Sequence, residues 1–85
     1  MVDIVDVTVL AEYRVRLRFD DGTEREVDLA PFLTGPVFEP LLRSREIFES
    51  VRVDPELGTI VWPTGADLDP DVLHEAGVAV AVRGS

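Results

Sequence analysis

YRVRLRFDDGTEREVDL, residues 13–29, is the stretch whose reading decides the fold. Tyr13, Val15, Leu17 and Phe19 alternate with Arg14, Arg16 and Arg18. After the turn, Val27 and Leu29 share one face, and Glu24, Glu26 and Asp28 share the other. Period two marks a half-buried strand, so the stretch reads as a β-hairpin with one apolar and one charged face. Elimination sets its register. A two-residue loop at Asp21-Gly22 would put Leu17 opposite Glu26 and Phe19 opposite Glu24, mixing the faces. A three-residue loop, Asp20-Asp21-Gly22, with Gly22 left-handed in a bulge, puts Arg18 opposite Glu24, Arg16 opposite Glu26 and Arg14 opposite Asp28. Val15 then meets Val27, Tyr13 meets Leu29 and Phe19 meets Thr23. A one-residue slip reverses every assignment, so the second register is expected. It brings three cross-strand ion pairs of ~0.2–1 kcal/mol each.

Working outward, residues 2–10 are rich in β-branched side chains. Val5, Val7 and Val9 alternate with Asp6 and Thr8, which predicts an opening strand antiparallel to the first strand of the hairpin, joined by a tight turn at Ala11-Glu12. A three-stranded meander results. Beyond Leu29 the alternation stops. Residues 30–33 predict one helical turn, whose Phe32 and Leu33 cover the open face of the meander. Pro40 suits the first turn of a short helix, and Ser44 can cap a second. Leu41, Leu42, Ile47 and Phe48 are spaced as a buried stripe. Residues 51–53 and 59–62 predict a second hairpin around Asp54-Pro55-Glu56-Leu57-Gly58. Asp69 as N-cap, Pro70 at N1 and Asp71 near the dipole start a last helix, anchored by Val72 and Leu73 and ended by Gly77. The fold class is therefore α+β: an antiparallel three-stranded meander plus a second β-hairpin, with short helices. Residues 1–77 form the compact domain, and 78–85 a C-terminal tail whose Val-Ala alternation suits an extra strand, a helix extension or a loose end.

Composition narrows function mainly by exclusion. A chain of 85 residues is one small domain, and 46% hydrophobic residues suffice for a core. With no cysteine, disulfides, zinc–thiolate sites and thiol nucleophiles are excluded. Neither a secretory signal nor a long apolar run is present, so a cytoplasmic protein with no membrane partner is expected. All eight basic residues are arginine, and the net charge is −9. Such an acidic chain is repelled by phosphate backbones, which argues against direct nucleic-acid binding. It fits a solvated acidic surface, the favoured reading, or a basic protein partner.

Three groups of residues carry chemistry on paper. His74, the single histidine, can serve as a general base with Asp71 and Glu75 near it. Ser44 and Ser50, however, lack a nucleophile-elbow setting, so a surface histidine is the expected reading and no catalytic residue is assigned. Asp67, Asp69 and Asp71 have the spacing of calcium ligands. The glycine and distal glutamate of an EF-hand loop are missing and Pro70 interrupts it, so no metal site or cofactor is assigned and helix capping is expected. Trp62, Gly65 and Asp67 lie in a Pro-Gly turn, where the tryptophan is either a core plug or a binding hot spot. They are the candidate binding residues, although a structural role is the favoured reading.

Further motifs run the length of the chain: Y-x-V-x-L-x-F-x-D-G at residues 13–22, V-D-L at 27–29, P-L-L at 40–42 and I-F-x-x-V at 47–51, then G-T-I-V-W-P-T-G-A-D-L at 58–68 and D-P-D-x-L at 69–73. With them the chain resembles the small bacterial family of domain of unknown function 2442. The likeness covers residues 2–75 and leaves the tail outside. The W-P-x-G-A-D-L segment is its most specific part, and the family commonly carries asparagine where Thr64 stands. The resemblance implies the same α+β fold and no established activity. It also implies small stand-alone proteins, sometimes encoded beside a small partner as in toxin–antitoxin pairs. The expected function is a non-enzymatic protein-binding accessory or antitoxin-like module, with a basic protein or a second copy as partner. The alternative is a small-ligand or divalent-metal-binding domain at the turn of residues 62–71.

Overall fold

The central hairpin adopts the register expected of it. In the computed structural model, which describes residues 2–79, strands β2 (Arg14–Phe19) and β3 (Glu24–Asp28) pair Arg14 with Asp28, Val15 with Val27, Arg16 with Glu26 and Arg18 with Glu24. The Phe19 N–H donates to the Thr23 carbonyl and the Leu29 N–H to the Tyr13 carbonyl, closing both ends. Gly22 sits at φ +88°, the left-handed conformation that this loop requires and that glycine adopts without steric cost.

Strand β1 (Ile4–Val9) adds to β2 and completes the meander. Its phase differs from the expected alternation. Ile4 pairs with Phe19 and Asp6 with Arg18, so Val5 is an extra residue in a β-bulge. Ile4 is buried, Val7 and Val9 pack against the core, and Val5 is turned out to 47% exposure. The chain before the bulge is tied on two sides: the Ile4 N–H donates to Gly58 and the Asp3 carbonyl accepts from Asp20. That anchoring fixes Ile4 inward, whatever the valines that follow would choose.

The inward face of the sheet carries Val15, Leu17, Phe19, Val27 and Leu29, all buried. Two 3₁₀ turns, Ala30–Phe32 and Pro36–Phe38, lead into helices α1 (Glu39–Arg43) and α2 (Arg45–Glu49). Ser44 caps α2 through its side chain, accepting from the Ile47 N–H. Leu33, Leu41 and Phe48 close over the sheet. Leu42 departs from the expected stripe and is 45% exposed. A five-residue helix has room for one inward position per turn, and Leu41 holds it.

The second hairpin pairs β4 (Arg52–Asp54) with β5 (Thr59–Val61) as a separate two-stranded sheet beside β1. The Asp54 carboxylate accepts from the Glu56 and Leu57 N–H groups, and Gly58 takes φ +70°. Helix α3 (Pro70–Ala76) starts as expected, with the Asp69 side chain accepting from the Asp71 N–H. Leu73 is its buried anchor, whereas Val72 faces out at 45% exposure. Gly77 ends the helix in an extended conformation, φ −76°. Glycine is needed there for space: a Cβ would meet Arg25 Cβ at 2.7 Å and Val27 Cγ2 at 3.0 Å.

Strand β6 (Val78–Ala79) then pairs with Glu26 and Arg25 of β3. The main sheet thus has the order β1-β2-β3-β6. The rest of the tail, residues 80–85, lies outside the described residues.

Candidate functional site

The predicted turn at Trp62 is well formed, and it has divided its residues between core and surface. The Trp62 N–H donates to the Ala66 carbonyl and the Gly65 N–H to the Trp62 carbonyl, at 2.9 and 3.0 Å. Gly65 takes φ +93°. Val61 and Asp67 form a bridge that returns the chain along β5. Trp62 itself is 2% exposed. Its indole N–H donates to the Phe48 carbonyl at 2.9 Å, and its ring lies among Phe38 and Phe48. A buried tryptophan with its N–H satisfied is a packing element, so Trp62 has no surface to offer a partner. Gly65 and Asp67 are exposed at the tip of the turn, and Thr64 beside them is exposed as well.

The histidine is engaged elsewhere. His74 Nε2 donates to the Asp21 carboxylate at 3.0 Å, and its ring stands edge-on to Phe19 at 4.7 Å between centroids. Helix α3 is thereby fastened to the central turn. Asp21 also accepts from the Thr23 hydroxyl at 2.6 Å and the Thr23 N–H at 3.0 Å. These bonds, the hydroxyl first and His74 least, lower its pKa from 3.8 to about 2. Asp71 accepts from the Val2 N–H at 3.2 Å. The Ser44 and Ser50 hydroxyls bond to the backbone of Ile47. Among the described residues no three His, Asp or Glu side chains stand together as metal ligands.

The arginine row of the central hairpin is largely consumed by its own neighbours, though not with the expected partners. Glu26 takes both Arg16, at 3.0 Å, and Arg14, at 3.6 Å. Arg18 reaches the other way to Asp6 on β1, at 3.9 Å. Asp28 accepts from the Ala30 N–H instead. The register matches opposite charges correctly, but exposed side chains choose among several near-equivalent partners. Off the sheet, Arg43 pairs with Glu39 and Arg45 with Glu49. Arg45 also donates to the carbonyls of Leu10 and Glu12, so it clamps the β1–β2 turn from α2. Glu12 occupies a left-handed conformation there, φ 56°.

A different surface gathers apolar and acidic groups, and sequence reading did not assign it. The bulge of β1 and the second hairpin enclose a cleft of about 320 Å³, lined by Asp3, Ile4, Val5, Val53, Pro55 and Gly58. Val5 in its lining is 47% exposed, and Leu57, the chain neighbour of Gly58, is 56% exposed. Asp3 in this lining is exposed, and half-buried Asp54 and exposed Glu56 are the chain neighbours of its Pro55. Asp20 adjoins Asp3, accepting from its N–H at 3.1 Å. No basic side chain lines this cleft. The only available sequence signal was the density of acidic residues in the two turns; their convergence required the bulge.

The family model described as a protein of unknown function, DUF2442, matches residues 4–79. The chain belongs to that family. The match runs past Glu75, so the Gly77 corner and strand β6 are part of the family's pattern and not an appendage to it. No curated protein and no solved structure matches the chain. Among the described residues no helix is long and apolar enough to cross a membrane.

Proposed function

We propose that this DUF2442 member is a non-enzymatic protein-binding module, an accessory or antitoxin-like protein that engages a basic partner. One observation carries the reading: an exposed apolar cleft with an acidic rim, on a chain of net charge −9 whose arginines at 14, 16, 18, 43 and 45 already hold carboxylates. Apolar surface inside a polar border is the usual anatomy of a protein interface. The acidic excess steers a basic partner toward it and suppresses acidic ones. The candidate groups for catalysis support the same reading, since His74 is bound to Asp21 and the Ser44 and Ser50 hydroxyls to the Ile47 backbone. The small-ligand or divalent-metal alternative at the turn of residues 62–71 has weaker support, because Trp62 is buried and Asp69 and Asp71 both accept backbone N–H groups. The test is affinity capture from the lysate of the source organism at low and high salt. One basic protein, retained at low salt and released at high salt, supports the module. Recovery of the chain alone, together with a calcium- or magnesium-dependent rise in Tm, would replace it with the ligand-binding reading.

A further inference from the structure

The cleft adjoins a free strand edge, and the two features together define the kind of segment that fits. Strand β1 ends the order of the main sheet. Among the described residues, the one backbone hydrogen bond from β1 to the second hairpin runs from Ile4 to Gly58. Past the bulge no described strand hydrogen-bonds to the outer side of β1, although β4 packs beside it, and the Val7 N–H is held by the carboxylate of its own neighbour, Asp6, at 3.0 Å. A side chain that occupies a strand's N–H in this way substitutes locally for a missing strand.

We infer that an extended basic segment of the partner protein adds to the β1 edge beside Val7 and Val9 and inserts one apolar side chain into the cleft between Val5, Val53 and Pro55. This rests on the reading of the chain as a protein-binding module and specifies its partner's chemistry. In strand addition the main-chain hydrogen bonds supply affinity and a pocket for alternate side chains supplies selectivity. Here the bulge has turned Val5 outward and opened the pocket at the end of the free edge. Asp3 lines it, and exposed Glu56 follows its Pro55 in the chain, so flanking arginines or lysines of the segment are favoured and acidic ones rejected. Arg18 holds Asp6 at 3.9 Å on an exposed surface, an arrangement weak enough for Asp6 to release the Val7 N–H to an incoming carbonyl.

The experiment is a ¹⁵N NMR titration of the full chain with short capped peptides. The first alternates arginine with valine, the second alternates arginine with serine, the third alternates glutamate with valine, and the fourth is the first with alternate backbone amides methylated. The arginine–valine peptide is expected to shift the amides of residues 4–9 and 53–58. The other three, and the Val5→Asp protein with the first peptide, are expected to bind tenfold or more weakly. Val5 is exposed, so its replacement leaves the core intact, and unchanged amide dispersion will verify that. Equal binding of the arginine–valine and arginine–serine peptides, spread over the acidic surface, would overturn the strand-and-pocket inference while leaving a charge-driven module standing. Binding of the glutamate–valine peptide as tight as that of the first would overturn both. Concentration-dependent shifts of residues 4–9 without any peptide would assign the edge to a second copy of the chain and overturn the inference as well.

Discussion

The two hairpins of this small protein use charge in opposite ways. In β2–β3 the charged residues stand on strands and face one another across the sheet, so arginine and carboxylate are matched within the hairpin and with β1. In β4–β5 the acids gather at the turn: Asp54 ends β4 and its carboxylate accepts the Glu56 and Leu57 N–H groups, and Glu56 projects outward. The first hairpin contributes a balanced face and most of the buried sheet. The second contributes unbalanced negative charge and, with the bulge of β1, a concave apolar surface. Alternating charge on strands thus sets a register, whereas a carboxylate at a turn either holds its own fold, as Asp21 and Asp54 do, or faces solvent, as Glu56 does.

The strongest test of this contrast is at the joint between the second hairpin and the core. Trp62→Ala removes a buried indole and its hydrogen bond to Phe48, with an expected loss of about 3–5 kcal/mol in denaturant unfolding. On a domain of this size that leaves little folded protein. Gly58→Ala comes next. It places a side chain at φ +70° and drives a Cβ to 2.5 Å from the Asp3 carboxyl, so a loss of about 1–2 kcal/mol is expected from the backbone conformation alone. A Gly58→Ala protein as stable as the original would show that the Asp3–Gly58 approach does not hold the rim in place.

Glu26→Gln tests the first hairpin and should have a smaller effect. It releases Arg14 and Arg16 from a half-exposed carboxylate, and a change below about 1 kcal/mol is expected, fading as salt is raised. A larger, salt-independent loss would make the ladder a determinant of stability instead of register. The smallest effect is the one at Asp21, and it is visible in acid. Its carboxyl has a pKa of about 2 in the fold against 3.8 ordinarily. Since the folded value is the lower one, the carboxylate's contribution is complete above about pH 4 and is lost as the pH falls toward 2. Asp21→Asn should therefore flatten the acid limb of the stability profile between those values. An unchanged limb would mean that the Thr23 and His74 contacts do not persist in solution.

The same contrast explains what could be read from the sequence. The register of β2–β3 was legible because any slip exposes Val15, Leu17 and Phe19 to water together. Ser44 and Asp69 were legible because capping is chemistry local to a few residues. The bulge at Val5 was not: a run of valines fits either phase, and the choice was made by distant bonds to Gly58 and Asp20. Leu42 and Val72 were misplaced inward because helices of five and seven residues give periodicity too few turns to register. Trp62 and the turn around Gly65 and Asp67 were identified as one unit, but sequence could not divide that unit between core and surface. The cleft was invisible, since Asp3, Val5, Val53 and Pro55 meet only after β1 and the second hairpin have folded side by side.

The central claim is that the cleft between β1 and the second hairpin, and not the arginine row, is the binding surface. Hydrogen–deuterium exchange of the full chain, alone and with the captured partner, tests it most directly. Protection confined to residues 3–9 and 53–58 is the predicted result. Protection centred on Arg14, Arg16 and Arg18, with the cleft unchanged, would contradict it and move the function to the outer face of the sheet.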